Sequence, residues 1–222
     1  MELLSPLILT FELAAVTTLL LSFFAIPMAY WLSTVSFRGK SILESITSMP
    51  IVLPPSVLGF YLLVFMGPHG PLGSILQKFD IRLVFTFEGL VIGSMIYSLP
   101  FMLQPVQAGF EALPMSLREA SYTLGKSRFQ TFFRVLLPNI KPSLITGIVL
   151  SFAHTVGEFG VVLMIGGSIP DKTRVASIAI YDQVEALNYG TAHFYSAVLF
   201  VLAFAVLLTV NTVNKRIGGK VI

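Results

Sequence analysis

Residues 119–138 have the sequence EASYTLGKSRFQTFFRVLLP, and this stretch decides how the rest of the chain is interpreted. It is polar and basic, and it lies between two long apolar segments. It contains no catalytic constellation and no phosphate-binding loop. In a membrane protein, a polar segment of this kind predicts a surface on which another protein docks.

The composition of the chain indicates a membrane protein surrounded by lipid. Of its 222 residues, 55% are hydrophobic and only 11% are charged, whereas soluble domains carry about 25% charged residues. The mean hydropathy is +0.85, and the length allows one transmembrane domain, 1–222. Without cysteine, the chain can build neither a disulfide nor a thiolate metal site. The basic residues form no stripe with interleaved aromatic residues, which argues against nucleic acid as a partner.

A helix needs about 20 mostly apolar residues to cross a bilayer, and five segments meet this requirement. They are 9–35, 46–66, 86–108, 143–167 and 193–213. The expected fold class is therefore all-α, a polytopic integral membrane protein with five transmembrane helices. A sixth, short or interfacial helix within 172–190 is the alternative. Five spans place the two termini on opposite sides of the membrane.

Basic residues indicate the orientation of the spans, because they are enriched in cytoplasmic loops. With the N-terminus outside, 10 of the 14 lysines and arginines are cytoplasmic. These ten are Arg38, Lys40, Arg118, Lys126, Arg128, Arg134, Lys141, Lys215, Arg216 and Lys220. This topology predicts a cytoplasmic C-terminus and a cytoplasmic loop at about 109–142, which contains the opening stretch.

The cytoplasmic loop is expected to form a helix, a turn and a second helix. Pro114 precedes a helix start at which Ser116 and Glu119 have the spacing of a capping box. Gly125 permits a sharp turn, because it can adopt a positive φ without a clash from a Cβ atom. A second short amphipathic helix follows, and Pro138 and Pro142 are expected to end it.

The chain offers no binding site for ATP. Gly39-Lys40-Ser41 matches the end of a P-loop, but the first glycine of that motif would have to occupy position 34, which is Thr34. A transmembrane helix, not a strand, precedes the run. We therefore expect no catalytic residue and no cofactor in this chain.

Two ionisable residues interrupt the fourth predicted span. His154 and Glu158 are four residues apart and so share one face of a helix. Ionisable residues at membrane depth are functional candidates. One interpretation is a metal site in an intramembrane enzyme, although a catalytic zinc site needs a third protein ligand. The other is a hydrogen-bonded pair inside the bundle, and we expect no metal.

The opening stretch resembles the signature loop of bacterial ABC importer permeases. That signature is Glu-Ala-Ala, three residues, Gly, nine residues and Ile-x-Leu-Pro, and its spacing holds here from Glu119 to Pro138. Ser121 replaces the second Ala, and Val135 replaces the Ile. The resemblance implies a type I ABC importer permease fold with a cytoplasmic coupling helix.

The resemblance also assigns roles to residues of this loop. It implies that the short helix inserts into a cleft of the ATPase subunit, which moves the spans as it closes on ATP. Glu119 would make a polar contact with the partner, Ala120 would allow close approach, and Gly125 would permit the turn. Pro138 would complete the set of coupling residues.

Three further runs are similar to the molybdate and sulfate permeases. They are Leu53-Pro54-Pro55-Ser56-Val57-Leu58-Gly59, Gly157-Glu158-Phe159-Gly160 and Ile169-Pro170-Asp171-Lys172-Thr173-Arg174. The short length and Ile178-Ala179-Ile180-Tyr181-Asp182 most resemble the molybdate permeases. The second run, together with His154 in the same predicted span, makes His154, Gly157 and Glu158 candidates for a pathway or gate.

The resemblance implies a substrate and an assembly. The substrate would be molybdate, a tetrahedral oxyanion, with sulfate or tungstate as the alternatives. Two copies of the chain would form a homodimer in the bacterial cytoplasmic (inner) membrane. Two copies of an ABC ATPase, which would bind ATP and magnesium, and a periplasmic or surface oxyanion-binding protein would complete the importer.

Overall fold

Every regular element between residues 3 and 218 is helical, which confirms the all-α fold class. The structure is a computed structural model that describes residues 3–218, with side chains up to residue 212. Its α-helices are α1 Ser5–Thr34, α2 Lys40–Val52, α3 Pro55–Met66, α4 Pro71–Leu76, α5 Phe87–Glu111, α6 Met115–Thr123, α7 Arg128–Thr131, α8 Leu137–Asn139, α9 Lys141–Val156, α10 Gly160–Gly166, α11 Ala176–Glu185 and α12 Tyr189–Gly218. A 3₁₀ turn, Gln77–Phe79, follows α4, and a π-helical turn, Phe132–Leu136, precedes α8.

Three helices in the described part of the chain are long and apolar enough to cross a membrane. They are α1, α5 and α12, and they confirm the first, third and fifth predicted spans. Two bent helix pairs raise the number of crossings to as many as five. The alternative sixth helix is present as α11, but its 10 residues are half of what a crossing needs.

The second predicted span, 46–66, is wrong as a single helix. It is divided between α2 and α3, and α2 is bent by 114° from the helical segment Pro55–Phe79, which begins with α3. Leu53 and Pro54 are extended at the bend, with ψ of 135° and 134°. A proline disfavours the helical conformation of the residue before it, so two consecutive prolines interrupt the helix. Pro55 then starts α3, where its missing N–H costs nothing.

The fourth predicted span, 143–167, is also wrong as a single helix. α9 ends at Val156, and α10 begins at Gly160 after Phe159, whose φ and ψ of −127° and −59° are not helical. α9 meets the preceding helical segment at 77°.

The last three basic residues of the topology count, Lys215, Arg216 and Lys220, have side chains outside the described residues.

The core lies between α1, α5 and α9, which pack against one another along most of their lengths. Leu21 and Ala25 of α1 meet Met102 and Val106 of α5 there, and all four are fully buried. α3 and α10 pack side by side against α5, while α11 and α12 pack against each other. This arrangement brings the two helix breaks to the same side of α5.

A glycine sets the distance between α3 and α10. A Cβ atom on Gly59 would lie 2.8 Å from Cβ of Met164, which is closer than atoms of this kind approach. Close helix contacts in membranes rely on small residues in this way.

We predict that Gly59→Ala lowers the stability of the purified protein by about 1–3 kcal/mol, because the added methyl group overpacks this contact. Gly190→Ala is the matched control, since a Cβ atom there meets only Asn188 Oδ1 at 4.0 Å. Thermal unfolding in detergent micelles measures both variants. Equal melting temperatures would contradict the close packing.

Candidate functional site

The signature loop forms a compact polar unit, residues 114–139, which we call the knob. Its first helix, α6, begins after Pro114, which is extended with ψ of 138° and offers no side-chain cap. The predicted capping box of Ser116 and Glu119 is therefore wrong. Because Pro114 occupies the N-cap position, both residues lie inside the helix, where Glu119 is exposed.

The predicted turn at Gly125 is confirmed. Gly125 has a φ of +74°. Its N–H donates to the carbonyl oxygen of Tyr122 (2.9 Å), and the N–H of Lys126 donates to that of Ser121 (3.1 Å). These two bonds form a Schellman motif, which ends helices at a left-handed residue. A Cβ atom at this position would meet nothing within 4 Å, so the constraint on Gly125 is purely conformational.

A capping box is present at the second helix of the knob instead. Ser127 Oγ accepts from the N–H of Gln130, and the side chain of Gln130 accepts from the N–H of Ser127, each at 3.2 Å. The Ser-x-x-Gln spacing in the sequence is the signal that identifies this box. The helical segment of the knob ends at Asn139, between Pro138 and Pro142, where the sequence predicts its end. The π-helical turn Phe132–Leu136 precedes Pro138. Its wider spacing accommodates the ring of a proline, which has no N–H to donate to the helix.

A buried hydrogen bond joins the two helices of the knob. The hydroxyl groups of Ser121 and Thr131 lie 2.9 Å apart, and both residues are buried. Ser121 is the position at which the chain departs from the Ala of the signature. The departure thus has a structural reason, because an alanine would leave the Thr131 hydroxyl without this partner.

Aromatic packing attaches the knob to the transmembrane core. The ring of Phe132 lies 5.0 Å from that of Tyr30 in α1 and 5.9 Å from that of Phe110 in α5. Arg118 of α6 places its guanidinium 5.7 Å above the Tyr30 ring, which is within range of a cation–π interaction. A displacement of the knob therefore acts directly on α1 and α5.

The exposed surface of the knob carries both polar and large apolar side chains. Glu119, Ala120 and Gly125 are exposed, while Leu124 and Phe129 are 79% and 72% exposed. Contiguous exposed apolar side chains rimmed by polar residues mark interaction sites. The structure thus brings together three of the four predicted coupling residues on an accessible surface, and Pro138 lies at the far end of the knob.

A second candidate site lies where the two helix breaks meet. A cavity of about 520 Å³, which we call the junction cavity, opens between α3, α5, α9 and α10. Its lining consists of Pro55, Ser56, Tyr97, Ala153, His154, Gly157, Glu158, Phe159 and Gly160. All three predicted pathway residues are in this set.

A chain of hydroxyl groups fixes the tautomer of His154. Thr155 Oγ1 donates its proton to the carbonyl oxygen of Ser151 (3.0 Å), so it accepts from Ser98 Oγ (2.9 Å). Ser98 has no second proton, and its Oγ lies 2.9 Å from His154 Nδ1. His154 must therefore donate through Nδ1–H. In the neutral ring, Nε2 is then the nitrogen without a proton, which can only accept a hydrogen bond. The ring stacks on Phe101 with centroids 4.0 Å apart.

The carboxyl group of Glu158 is buried without a partner. Glu158 is 3% exposed, and neither of its carboxyl oxygens has a hydrogen-bond partner in the described part of the chain. The Ser94 hydroxyl lies beside it without a hydrogen bond of regular geometry. The expected His154–Glu158 pair is wrong, because the break after Val156 takes Glu158 off the face of α9. Among the described residues, no group of three potential ligands could hold a metal ion.

The run 169–174 is held against α10 and α11. Thr173 is fully buried and donates to the carbonyl oxygen of Gly166 (2.7 Å). Arg174 pairs with Asp182 at 3.0 Å, and Ser177 Oγ donates to the carbonyl oxygen of Glu158 (2.6 Å). These contacts assign a structural role to a run that the sequence marks only by resemblance.

We predict that Ser121→Ala loosens the knob by about 1–3 kcal/mol, because it leaves the buried Thr131 hydroxyl unpaired. The double variant Ser121→Ala/Thr131→Val is the control, since replacing both partners by apolar groups is nearly neutral. Amide hydrogen exchange within 115–131 measures the local stability. Faster exchange in the double variant than in the single one would contradict this account.

Comparisons with known proteins place the chain in a family. The family described as "Binding-protein-dependent transport system inner membrane component" matches residues 22–219. The molybdenum transport system permease protein ModB of Azotobacter vinelandii is 48% identical over 212 residues, which cover 95% of this chain and 94% of ModB. The sulfate transport system permease protein CysT of Escherichia coli is 34% identical over 199 residues, 90% of this chain and 72% of CysT.

A solved structure agrees with the fold. The crystal structure of a bacterial ABC transporter involved in the import of the acidic polysaccharide alginate matches with a TM-score of 0.77 at 18% identity. The match covers 97% of this chain and 80% of the other. The resemblance drawn from the signature loop is thus confirmed. The chain belongs to the family of inner membrane components of binding-protein-dependent transport systems.

Proposed function

We propose that this chain is the transmembrane permease subunit of an ATP-driven importer that carries molybdate across the inner membrane. One observation carries the proposal. The chain is 48% identical to the molybdenum permease over 95% of its length. Its identity to the sulfate permease is 34% over 90%. Sulfate or tungstate remains the second candidate, because those anions share the tetrahedral shape and charge of molybdate.

The assembly we propose follows the family. Two copies of the chain form a homodimer, with the N-terminus outside and the C-terminus in the cytoplasm. Two copies of an ABC ATPase bind ATP and magnesium and dock on the knobs. A periplasmic or surface binding protein delivers the oxyanion from outside. The chain itself has no cofactor and no ATPase site.

Movement of an ATPase docked on the knob is transmitted directly to the membrane-spanning helices. The exposed carboxylate of Glu119 supplies a polar contact, and Ala120 beside it lets the two backbones approach. The apolar surface of Leu124 and Phe129 is then covered by the partner. Because Phe132 packs on Tyr30 and Phe110, a pull on the knob rotates or shifts α1 and α5.

The same movement reaches the junction cavity through α5 and α9. Ser98 of α5 is hydrogen-bonded to both His154 and Thr155 of α9. A shift of α5 therefore moves the wall formed by His154, Gly157 and Glu158. We propose that these three residues line the pathway and act as its gate.

We predict that the chain, assembled with its ATPase in proteoliposomes and supplied with the binding protein, accumulates molybdate only when ATP is present. Unlabelled molybdate is expected to compete with labelled molybdate better than sulfate does. ATP-independent accumulation would contradict the importer assignment. Stronger competition by sulfate or tungstate would replace molybdate by that anion and keep the rest of the proposal.

We predict that Gly125→Val reduces both import and co-purification of the ATPase, because a non-glycine residue in the left-handed region is strained by about 1–2 kcal/mol. Val is β-branched and fits this region worst. Gly125→Asn is the control, since Asn adopts a positive φ at helix ends and no neighbouring atom obstructs its Cβ. Normal import by the Val variant would rule out a strict requirement for this turn in coupling.

A further inference from the structure

A ladder of polar side chains joins α2 to the end of α5 that leads into the knob. Its three rungs are the contacts of Lys40 Nζ with Glu111 Oε1 (3.9 Å), of Gln107 Nε2 with Glu44 Oε1 (2.8 Å) and of Gln104 Nε2 with Ser48 Oγ (3.1 Å). Residues three or four positions apart lie on one face of a helix. The three rungs therefore follow one face of each helix, and we call them the α2–α5 ladder.

Two further contacts tie the first two rungs together. Lys40 Nζ also lies 3.7 Å from Glu44 Oε1, and Gln107 Nε2 also donates to Glu111 Oε1 (3.0 Å). One ammonium group and one amide group thus serve two carboxylates that come from different helices. Because a hydrogen bond is lost beyond about 3.5 Å, a small shift of α5 along α2 breaks several of these contacts at once.

Apart from the ladder, α2 is held weakly. Within the described chain it buries only Thr47 and Pro50, and Leu43 adds a partly buried contact with the core cluster of α1 and α5. The charged side chains of the ladder are themselves 27–47% exposed. Losing an ion pair of this kind shifts an equilibrium by only about two- to fivefold. The ladder therefore holds α2 in a way that is readily reversed.

Both ends of α2 are joined to their neighbours by non-helical backbone. Val35, directly after α1, is extended with ψ of 136°, and Leu53 and Pro54 are extended before α3. A few residues at the ends of helices can absorb the φ and ψ changes of a hinge movement. α2 can therefore move relative to α5 without unwinding α1 or α3.

We propose that the α2–α5 ladder is a latch, which holds α2 against α5 in the described conformation and releases it during transport. Glu111 is the last residue of α5 and lies three residues before Pro114, where the knob begins. A pull on the knob therefore reaches the rung of Lys40 and Glu111 first. This proposal rests on the function proposed above and adds a conformational step to its cycle.

The absence of cysteine from the whole sequence allows a direct test. Glu44→Cys/Gln107→Cys removes the middle rung, leaves the outer two, and places one thiol on each helix. Because cysteine is shorter than the residues it replaces, the thiols are joined by a short, reducible bis-thiosulfonate instead of a direct disulfide. Import by the complex in proteoliposomes is expected to be lost on cross-linking and regained when dithiothreitol cleaves the tether.

A tether within α2 is the matched control. Ser41 and Ser45 are exposed and one turn apart, with about 6 Å between Cβ atoms. Cross-linking Ser41→Cys/Ser45→Cys with the same reagent joins α2 only to itself, so import is expected to continue.

The outcomes separate the latch from the function. If the cross-linked Glu44→Cys/Gln107→Cys complex imports molybdate as fast as the reduced one, α2 stays on α5 throughout, and the latch is wrong while the function stands. Equal loss of import with the control pair would also overturn the latch, because the reagent and not the tether would then stop import. If even the unaltered complex does not import, the function fails.

The rate of cross-linking tests the latch without any need for import. It is measured for Glu44→Cys/Gln107→Cys in the ATP-free complex and in the complex with a non-hydrolysable ATP analogue. The rate follows the fraction of complexes in which α2 lies on α5. A change from about nine-tenths latched to about one-tenth alters it roughly tenfold. The control pair is expected to react equally in both states, and equal rates for the Glu44→Cys/Gln107→Cys pair would overturn the latch.

Discussion

The architecture depends on one constraint, which is that backbone polar groups inside a membrane must be satisfied by the protein itself. This constraint makes every span helical and makes each break in a span costly. In the part of the chain that the structure describes, two such breaks, at Leu53–Pro54 and at Gly157–Phe159, lie against each other. The contact of Gly160 with Pro55 covers both breaks at once. The cavity beside them is the remaining space, and its lining is mostly apolar.

The knob and the junction cavity are two ends of one mechanical connection. At the knob, aromatic packing of Phe132 on Tyr30 and Phe110 transmits displacement to α1 and α5 without directional bonds. At the cavity, the hydrogen bonds of Ser98 to His154 and Thr155 couple α5 to α9 with defined geometry. The aromatic contact at the knob allows the helices to slide past each other. The hydrogen bonds of Ser98 instead fix the position of α5 along α9. A helix that moves as a rigid body between two such contacts carries a shift from one end of the bundle to the other.

Much of the fold follows from the sequence, and the errors share one cause. Mean hydropathy identifies α1, α5 and α12, because their apolar runs are continuous. The same average does not detect the helix breaks at Pro54 and Gly157, since two or three residues barely change the mean hydropathy of a long window. The breaks therefore stay hidden, although consecutive prolines and the Gly-Glu-Phe-Gly run mark them. The assumed pairing of His154 with Glu158 fails for the same reason, because helical periodicity holds only within an unbroken helix.

Local signals in the knob succeed where the chemistry is local. The φ of Gly125 depends on its own lack of a Cβ atom, so the glycine alone predicts the turn. The capping box is a local motif as well, yet two candidates compete for it. Pro114 removes Ser116 from the N-cap position, and Ser127 forms the box that the spacing to Gln130 allows. The hydrogen bond between Ser121 and Thr131 could not be predicted from the sequence, because it depends on how the turn folds α6 back onto α7.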